Sequence, residues 1–461
     1  MSFNSISYLL FLPTVWLIYW MVKSNLRLQN VVLLLSSYLF YSWFDWKLSI
    51  LIFSISFVAY ATGLQIARGN KWIHWISIIF VLLVLGIFKY YNFFIGNINS
   101  IFLSFGYSLD IPSLYIILPI GISFYSFQAI SYVVDVKRKT INPTCDLISF
   151  LTYMSFFPQL VAGPIERAKD FLPQILRHRK LERGFFSDGC RQVLWGFFKK
   201  LVVADNCAIV VNDIWNNYAS YNGTTLLVGA ILFTFQIYSD FSGYSDIAIG
   251  TAKLFGFRLS DNFRYPYFAE SISVFWRRWH ITLLSWFRDY VYIPLGGNRC
   301  SPSKVILNTV IVFALSGLWH GASWTFVIWG CYHAILFIPL IIMNKIGFKI
   351  RTPRIFKIVL IFVLVNLGWI FFRAPTISDA YGYLCSIDNF GPLQFGKTAL
   401  LYCIILYVIE IFSYRKDYPL YLSRRGLLTK YPALRWCVYY IITMSIVFLR
   451  GDAQTFIYFQ F

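Results

Sequence analysis

The sequence predicts an all-α integral membrane protein with about 11 transmembrane helices and short helices that lie in or dip into the bilayer. Three observations carry this. Of 461 residues, 58% are hydrophobic and 13% charged, against roughly 25% charged in soluble domains. The mean hydropathy is +0.62. Apolar runs recur along the chain with short polar breaks between them.

The runs predict helices near 3–22, 30–44, 48–67, 72–89, 92–105, 113–134, 148–162, 190–213, 223–256, 304–319, 322–345, 355–373, 397–413 and 433–449. A span needs roughly 20 apolar residues. Shorter runs such as 30–44 and 148–162 read as tilted partners, half-helices or re-entrant pieces. No internal repeat or linker is visible, so 1–461 reads as one multispanning domain. The first run has no basic residues before it and no small-residue cleavage site after it, so it reads as a retained span rather than a signal peptide. Lys23 and Arg27 follow it, which places the N-terminus outside and the first loop in the cytoplasm.

The net charge is +20, and aromatic residues make up 20% of the chain, with 16 Trp and 32 Tyr. In an apolar background this fits positive-inside loops, anionic-lipid contact and interfacial aromatic belts. No nucleic-acid-binding module is recognisable, so no nucleic-acid partner is expected. The eight cysteines form no CxxC pair and suggest neither a disulfide framework nor a zinc ribbon.

Two polar stretches interrupt the pattern. Residues 166–191, with ERAKDFLPQILRHRKLERGF, should face the cytoplasm. The favoured reading is a solvated loop on lipid headgroups; the other is a surface for an anionic cosubstrate. Residues 259–303 are rich in Arg, Trp and Tyr but too polar to span. In them Ser271 or Ser273 can cap a helix beginning near Val274. Trp276, His280, Leu283 and Phe287 are spaced 4, 3 and 4, which puts one histidine on the apolar face of that helix. Pro294 ends it, and Gly296-Gly297 permits a tight turn.

Three of the five histidines fall between positions 280 and 333. Intramembrane ionisable groups are costly and read as functional by default. The runs 305–318 and 324–343 would make a helix of about 60 Å if continuous, twice the hydrocarbon thickness. A break is therefore expected at Gly321-Ala-Ser, with His320 at the turn. His333 lies one turn after Trp329 and either supports His320 or packs. The three histidines lack HExxH or another short ligand spacing, so no metal is expected. Asp240 and Asp246 are six apart and point in roughly opposite directions on a helix. Either can orient a histidine or pair with an arginine, and a structural ion pair is the favoured reading.

YSDFSGYSDIAIG (238–250), FWRRWHITLLSWFRDYVYIPLGGNR (275–299), GLWHGASWTFVIWGCYHA (317–334) and FFPQLVAGPIER (156–167), with the ending FIYFQF, resemble the membrane-bound O-acyltransferase (MBOAT) family. The chain looks most like its alginate O-acetyltransferase-type bacterial branch. The resemblance implies about 11 spans around a central funnel, and a multi-pass protein of the bacterial cytoplasmic membrane. It maps the family's essential histidine onto His320, the second onto His280 and a third recurrent position onto His333. It further implies acetyl-coenzyme A as donor, with no resident cofactor. The acceptor would be an exported polysaccharide or a periplasmic SGNH-type acetyltransferase. In that setting His320 serves as general base. His280 positions the acceptor or donates a hydrogen bond to the oxyanion. Arg277 and Arg278 meet donor phosphates, unless they are plain membrane anchors. The competing readings are D-alanyl transfer to teichoic acid from a carrier protein, a lipid acyltransferase of the same fold, and a non-enzymatic transporter. The last would show inverted repeats with paired broken helices.

Overall fold

The computed structural model describes residues 1, 3–43, 45–70, 72–109, 111–116, 118–160, 163–347, 352–414, 416–423 and 426–459. Val161 and Ala162 of the FFPQLVAGPIER segment and residues 460–461 of FIYFQF are outside this set. The described residues are helical with intervening turns and contain no strand. Among them six helices are long and apolar enough to cross a membrane: Trp46–Ala67, His74–Ser104, Gly223–Leu254, Pro302–His320, Trp324–Met343 and Arg354–Arg373. Ile6–Met21 and Pro432–Phe448 are shorter apolar helices. Large apolar side chains such as Ile79, Leu82, Leu83, Phe356 and Val359 stand exposed on them. In water such a surface would be an aggregation site; in a bilayer it is the lipid-facing wall.

The chain folds into two compact units, of which the first holds 1–181, 255–260 and 321–323. Several of its helices start where short polar side chains can accept orphan backbone N–H groups. Ser5 accepts from the Tyr8 N–H, Asn25 from Leu28 and Asp146 from Ile148. The helix expected from 113 begins only at Ile122. Pro119 removes a donor and disfavours helical geometry before it. Gly121 then turns the chain at φ +75°, where a Cβ would run into the Leu160 carbonyl oxygen.

The basic stretch after residue 166 is not simply a solvated loop. It carries a helix, Ala168–Ile175, and buries two charged groups. Glu166 accepts from the Ser260 hydroxyl at 3.1 Å. Arg179 donates to the Tyr19 hydroxyl and to Asn30 Oδ1, each at 2.8 Å. A buried charge must be matched by hydrogen bonds or rings, and Arg179 also lies over the Phe257 ring at 5.0 Å.

The second unit holds 182–254, 261–320 and 324–461. Its centre is the almost wholly buried helix Gly223–Leu254. Beside it Arg183–Phe197, the π-helical stretch Phe198–Ala204 and Asp205–Asn216 follow one another without a break. The two rods meet through glycines spaced by seven. A Cβ on Gly189 would lie 2.7 Å from the Gly250 oxygen, and one on Gly196 would lie 2.7 Å from the Gly243 oxygen. Only a bare backbone permits that approach. Pro302–His320 and Trp324–Ile346 form a hairpin in the same way, with Gly317 against the Phe326 carbonyl and Gly330 against that of Phe313. The chain breaks between them at 321–323, as the length argument requires.

Candidate active site

The single amphipathic helix expected from Val274 is two short helices. Ser271 caps Ile272–Trp276, accepting from the Val274 N–H. The chain then turns, and a second helix runs from Ile281 to Phe287. His280 sits between them at φ +43°, in the left-handed region that side chains other than glycine seldom enter. Trp276 and His280 therefore do not share a helical face with Leu283 and Phe287. The physical reason is tertiary pairing: the Ile281 N–H donates to the Asn262 carbonyl at 3.0 Å, and the Arg264 N–H to that of Arg278 at 2.9 Å. These bonds replace the helical ones that His280 would have continued. Backbone held in such a region clusters at functional sites. The expected end is present: π-helical Arg288–Tyr292 follows, then the turn through Gly296 and Gly297, both at positive φ.

His280 is buried, with its Nδ1 3.1 Å from Asn262 Oδ1. That oxygen also accepts from the Thr282 hydroxyl at 3.0 Å, and Asn262 Nδ2 donates to the Ser245 hydroxyl at 3.3 Å. With the Asn262 amide in this orientation its oxygen accepts from Nδ1, which places the proton there and makes Nε2 the acceptor nitrogen of the neutral ring. His280 lies between the spanning helices rather than within one. Burial pushes its pKa down to about 3, so it is neutral at physiological pH.

His320 closes the helix Pro302–His320 and is 4% exposed. Its ring lies 6.4 Å from that of His280, 5.0 Å from Trp319, 5.1 Å from Trp329 and 5.3 Å from Phe372. Tyr458 completes the group, 5.4 Å from His320 and 6.5 Å from His280. His333 is set behind this pair. Its ring is 4.8 Å from Trp276 and 5.1 Å from Trp329, so the Trp329 indole touches both His320 and His333. Neither ring nitrogen of His333 makes a hydrogen bond among the described residues.

The remaining sequence candidates lie elsewhere. Asp240 pairs with Lys200 at 2.8 Å and accepts the Ile457 N–H at 2.8 Å. Asp246 pairs with Lys199 at 2.6 Å and accepts from Gln192 at 2.8 Å. Both are in ion pairs, with lysine rather than arginine. Arg277 is exposed. Arg278 donates to the Phe268 carbonyl at 3.3 Å and stacks over Tyr414 at 5.1 Å.

Sequence reasoning missed Asn262, Tyr458, Lys199 and Lys200. The lysine pair was findable: GFFKKLVV places two cations in an apolar run, which by itself asks for acidic partners. Asn262 carried no local signal, because its role depends on a contact 18 residues away in the chain.

A buried neutral imidazole beside a second one, with a phenol against both, suits moving a proton while an acyl group changes hydroxyl or thiol partners. The family comparison agrees with that chemistry. The family model for MBOAT, the membrane-bound O-acyltransferase family, matches residues 33–374, and the chain belongs to this family. It is a multi-pass membrane acyltransferase. Among similar proteins, the probable alginate O-acetylase AlgI of Pseudomonas aeruginosa is 39% identical over 410 residues, covering 86% of this chain and 76% of that protein. The peptidoglycan O-acetyltransferase of Helicobacter pylori is 35% identical, covering 80% and 76%. The teichoic acid D-alanyltransferase of Bacillus subtilis is 26% identical over 274 residues, covering 55% and 68%.

Proposed function

We propose that this enzyme takes an acetyl group from acetyl-coenzyme A at the cytoplasmic face and passes it across the membrane for O-acetylation of an exported cell-surface polysaccharide. Delivery is direct or through a periplasmic SGNH-type partner. The observation that carries the reading is the buried His280–His320 pair. The relatives named above support acetyl over D-alanyl transfer, because the O-acetyl-transferring ones match over far more of the chain at higher identity.

The reaction is thioester exchange with a hydroxyl. His320 takes the hydroxyl proton as its oxygen attacks the thioester carbonyl; a carbon–oxygen bond forms, and the carbon–sulfur bond breaks. The proton then goes to the leaving thiolate. Neutral His280, with its Nδ1 proton committed to Asn262, has only an acceptor nitrogen to offer. It therefore positions the acceptor hydroxyl rather than donating to the oxyanion. A second reading has one specific support: Asn262 orients His280 as an orienting group does a general base, so the two histidines exchange roles. His333 acts by holding Trp329 against His320. Arg277 and Arg278 meet the donor phosphates, with the N-terminus outside and the loop after residue 22 in the cytoplasm of a bacterial inner membrane.

The test supplies labelled acetyl-coenzyme A to membranes containing the protein and a candidate acceptor polymer. Label in the extracted polymer supports the reading. No acetyl label, with transfer from a D-alanyl carrier protein instead, replaces it.

A further inference from the structure

We infer that the buried cluster of Lys200, Asp205 and Asp240 is a positioning device for the segment 449–458, which brings Tyr458 to the histidine pair. The role given to Tyr458 rests on the reading of that pair as the transfer centre; the latch itself does not.

The geometry begins in the π-helical stretch Phe198–Ala204. A π-bulge carries an extra residue and re-aims the side chains around it. Here neighbouring lysines serve different carboxylates: on the opposite helix Gly223–Leu254, Lys199 reaches Asp246 and Lys200 reaches Asp240 at 2.8 Å, while Lys200 also reaches Asp205, five residues along its own rod, at 2.7 Å. Lys200, Asp205 and Asp240 are all nearly inaccessible to solvent. Two carboxylates around one ammonium leave acceptor oxygens to spare, and buried acceptors need donors.

The segment after Pro432–Phe448 supplies one such donor and accepts from the lysine. The Ile457 N–H donates to Asp240 Oδ2 at 2.8 Å. Lys200 itself donates to the Gln454 carbonyl at 3.3 Å. Upstream, the Gly451 N–H donates to the Leu201 carbonyl at 2.9 Å, and Asn206 Nδ2 to that of Leu449 at 2.9 Å. The rings follow. Phe456 lies 4.2 Å from Tyr244, and Tyr458 lies 4.5 Å from Phe241. Phe241 in turn meets His280 edge-on at 4.6 Å. Asp240 thus touches no histidine in these contacts; it holds, one residue away, the ring that does. Asp240 and Lys200 are positioning residues.

The experiment removes one donor and leaves the charges alone. Ile457 opens the short turn Ile457–Phe459, a position where proline fits a helical backbone but brings no N–H. Ile457→Ala and Ile457→Pro both truncate the side chain, and only the second lacks the donor. In detergent micelles, chymotrypsin cleavage after Tyr458, a bond whose two flanking residues are the same in both variants (proline at 457 itself blocks cleavage after Phe456), is followed by intact mass, beside acetyl transfer in membranes. A hydrogen bond to a charged group is strong enough that Ile457→Pro should be cleaved about tenfold faster and transfer about tenfold more slowly than Ile457→Ala. Equal cleavage in the two variants overturns the latch. Faster cleavage with equal transfer overturns the positioning of Tyr458. A second pair tests the other partner: on a Lys200→Met/Asp205→Asn background, Asp240→Asn keeps an acceptor oxygen and Asp240→Leu does not. Protection retained by Asp240→Asn and lost by Asp240→Leu supports the latch, and equal protection overturns it. If the wild type transfers no acetyl group, the functional reading fails, while the cleavage ratios still decide the latch.

Discussion

The rings of His280 and His320 lie 6.4 Å apart, centroid to centroid, although 40 positions of sequence separate them. One hangs from a left-handed turn between two short helices, and the other ends a membrane span. Both positions are set by backbone breaks. The pair is therefore held by the points at which helices stop, and these are fixed by tertiary hydrogen bonds and close glycine packing.

His280 should stay neutral throughout the physiological range. Burial lowers its pKa to about 3 from an ordinary 6.5. The unfolded chain binds a proton below about 6.5 that the folded chain refuses. Its contribution to stability is thus complete above pH 6.5 and is lost progressively as pH falls toward 3. Thermal unfolding in detergent at pH 7.5 and pH 4.5 should show wild type losing more stability on acidification than His280→Asn, a residue that also tolerates the left-handed backbone. Equal losses would remove His280 as the cause.

Asn262 should matter through His280. Asn262→Ala frees the Nδ1 proton and lets the ring change tautomer, so transfer should fall by about 10- to 100-fold. Thr282→Val, which removes only the neighbouring donor to the same oxygen, should cost far less. Initial transfer rates of the two variants at equal membrane abundance decide this.

His333 acts through packing if neither ring nitrogen serves the reaction. His333→Leu keeps an apolar side chain of similar size beside Trp276 and Trp329 and should retain transfer within about tenfold. His333→Ala leaves a hole and should destabilise the protein by about 2–5 kcal/mol. Melting and transfer measured together separate the cases: a stable His333→Leu protein with no activity would give the imidazole a chemical role.

The glycine contacts make a stability prediction independent of function. Gly196→Ala places a methyl 2.7 Å from the Gly243 oxygen and 2.7 Å from Ile247, and should cost about 1–3 kcal/mol. Gly184→Ala, in the first turn of the same helix Arg183–Phe197, meets nothing within 4 Å and should be neutral or stabilising by up to about 1 kcal/mol. Thermal unfolding of the two proteins tests the contrast.

These residues also show what the sequence could and could not reveal. The break after His320 was legible because 39 apolar-rich residues from 305 to 343 are too long for one span, whatever their packing. The ion pairs of Asp240 and Asp246 were legible in kind, since buried carboxylates need partners, but not in identity, because a π-bulge decides which lysine reaches which carboxylate. The turn at His280 was hidden. Its 4-3-4 spacing satisfies a helix, and the bonds to residues 262–264 that interrupt it are long-range. The late start of the helix at Ile122 is a different failure, for Pro119 and Gly121 stood in plain view and were outweighed by the apolar run around them.

The most direct test of the transfer centre is a single-residue comparison. Wild-type and His320→Ala proteins, matched for abundance and melting behaviour in the same membranes, are given labelled acetyl-coenzyme A and acceptor polymer. Loss of a general base should lower transfer by about 10²- to 10⁴-fold with folding unchanged. Transfer by His320→Ala within a few-fold of wild type would contradict the assignment of His320 as the base.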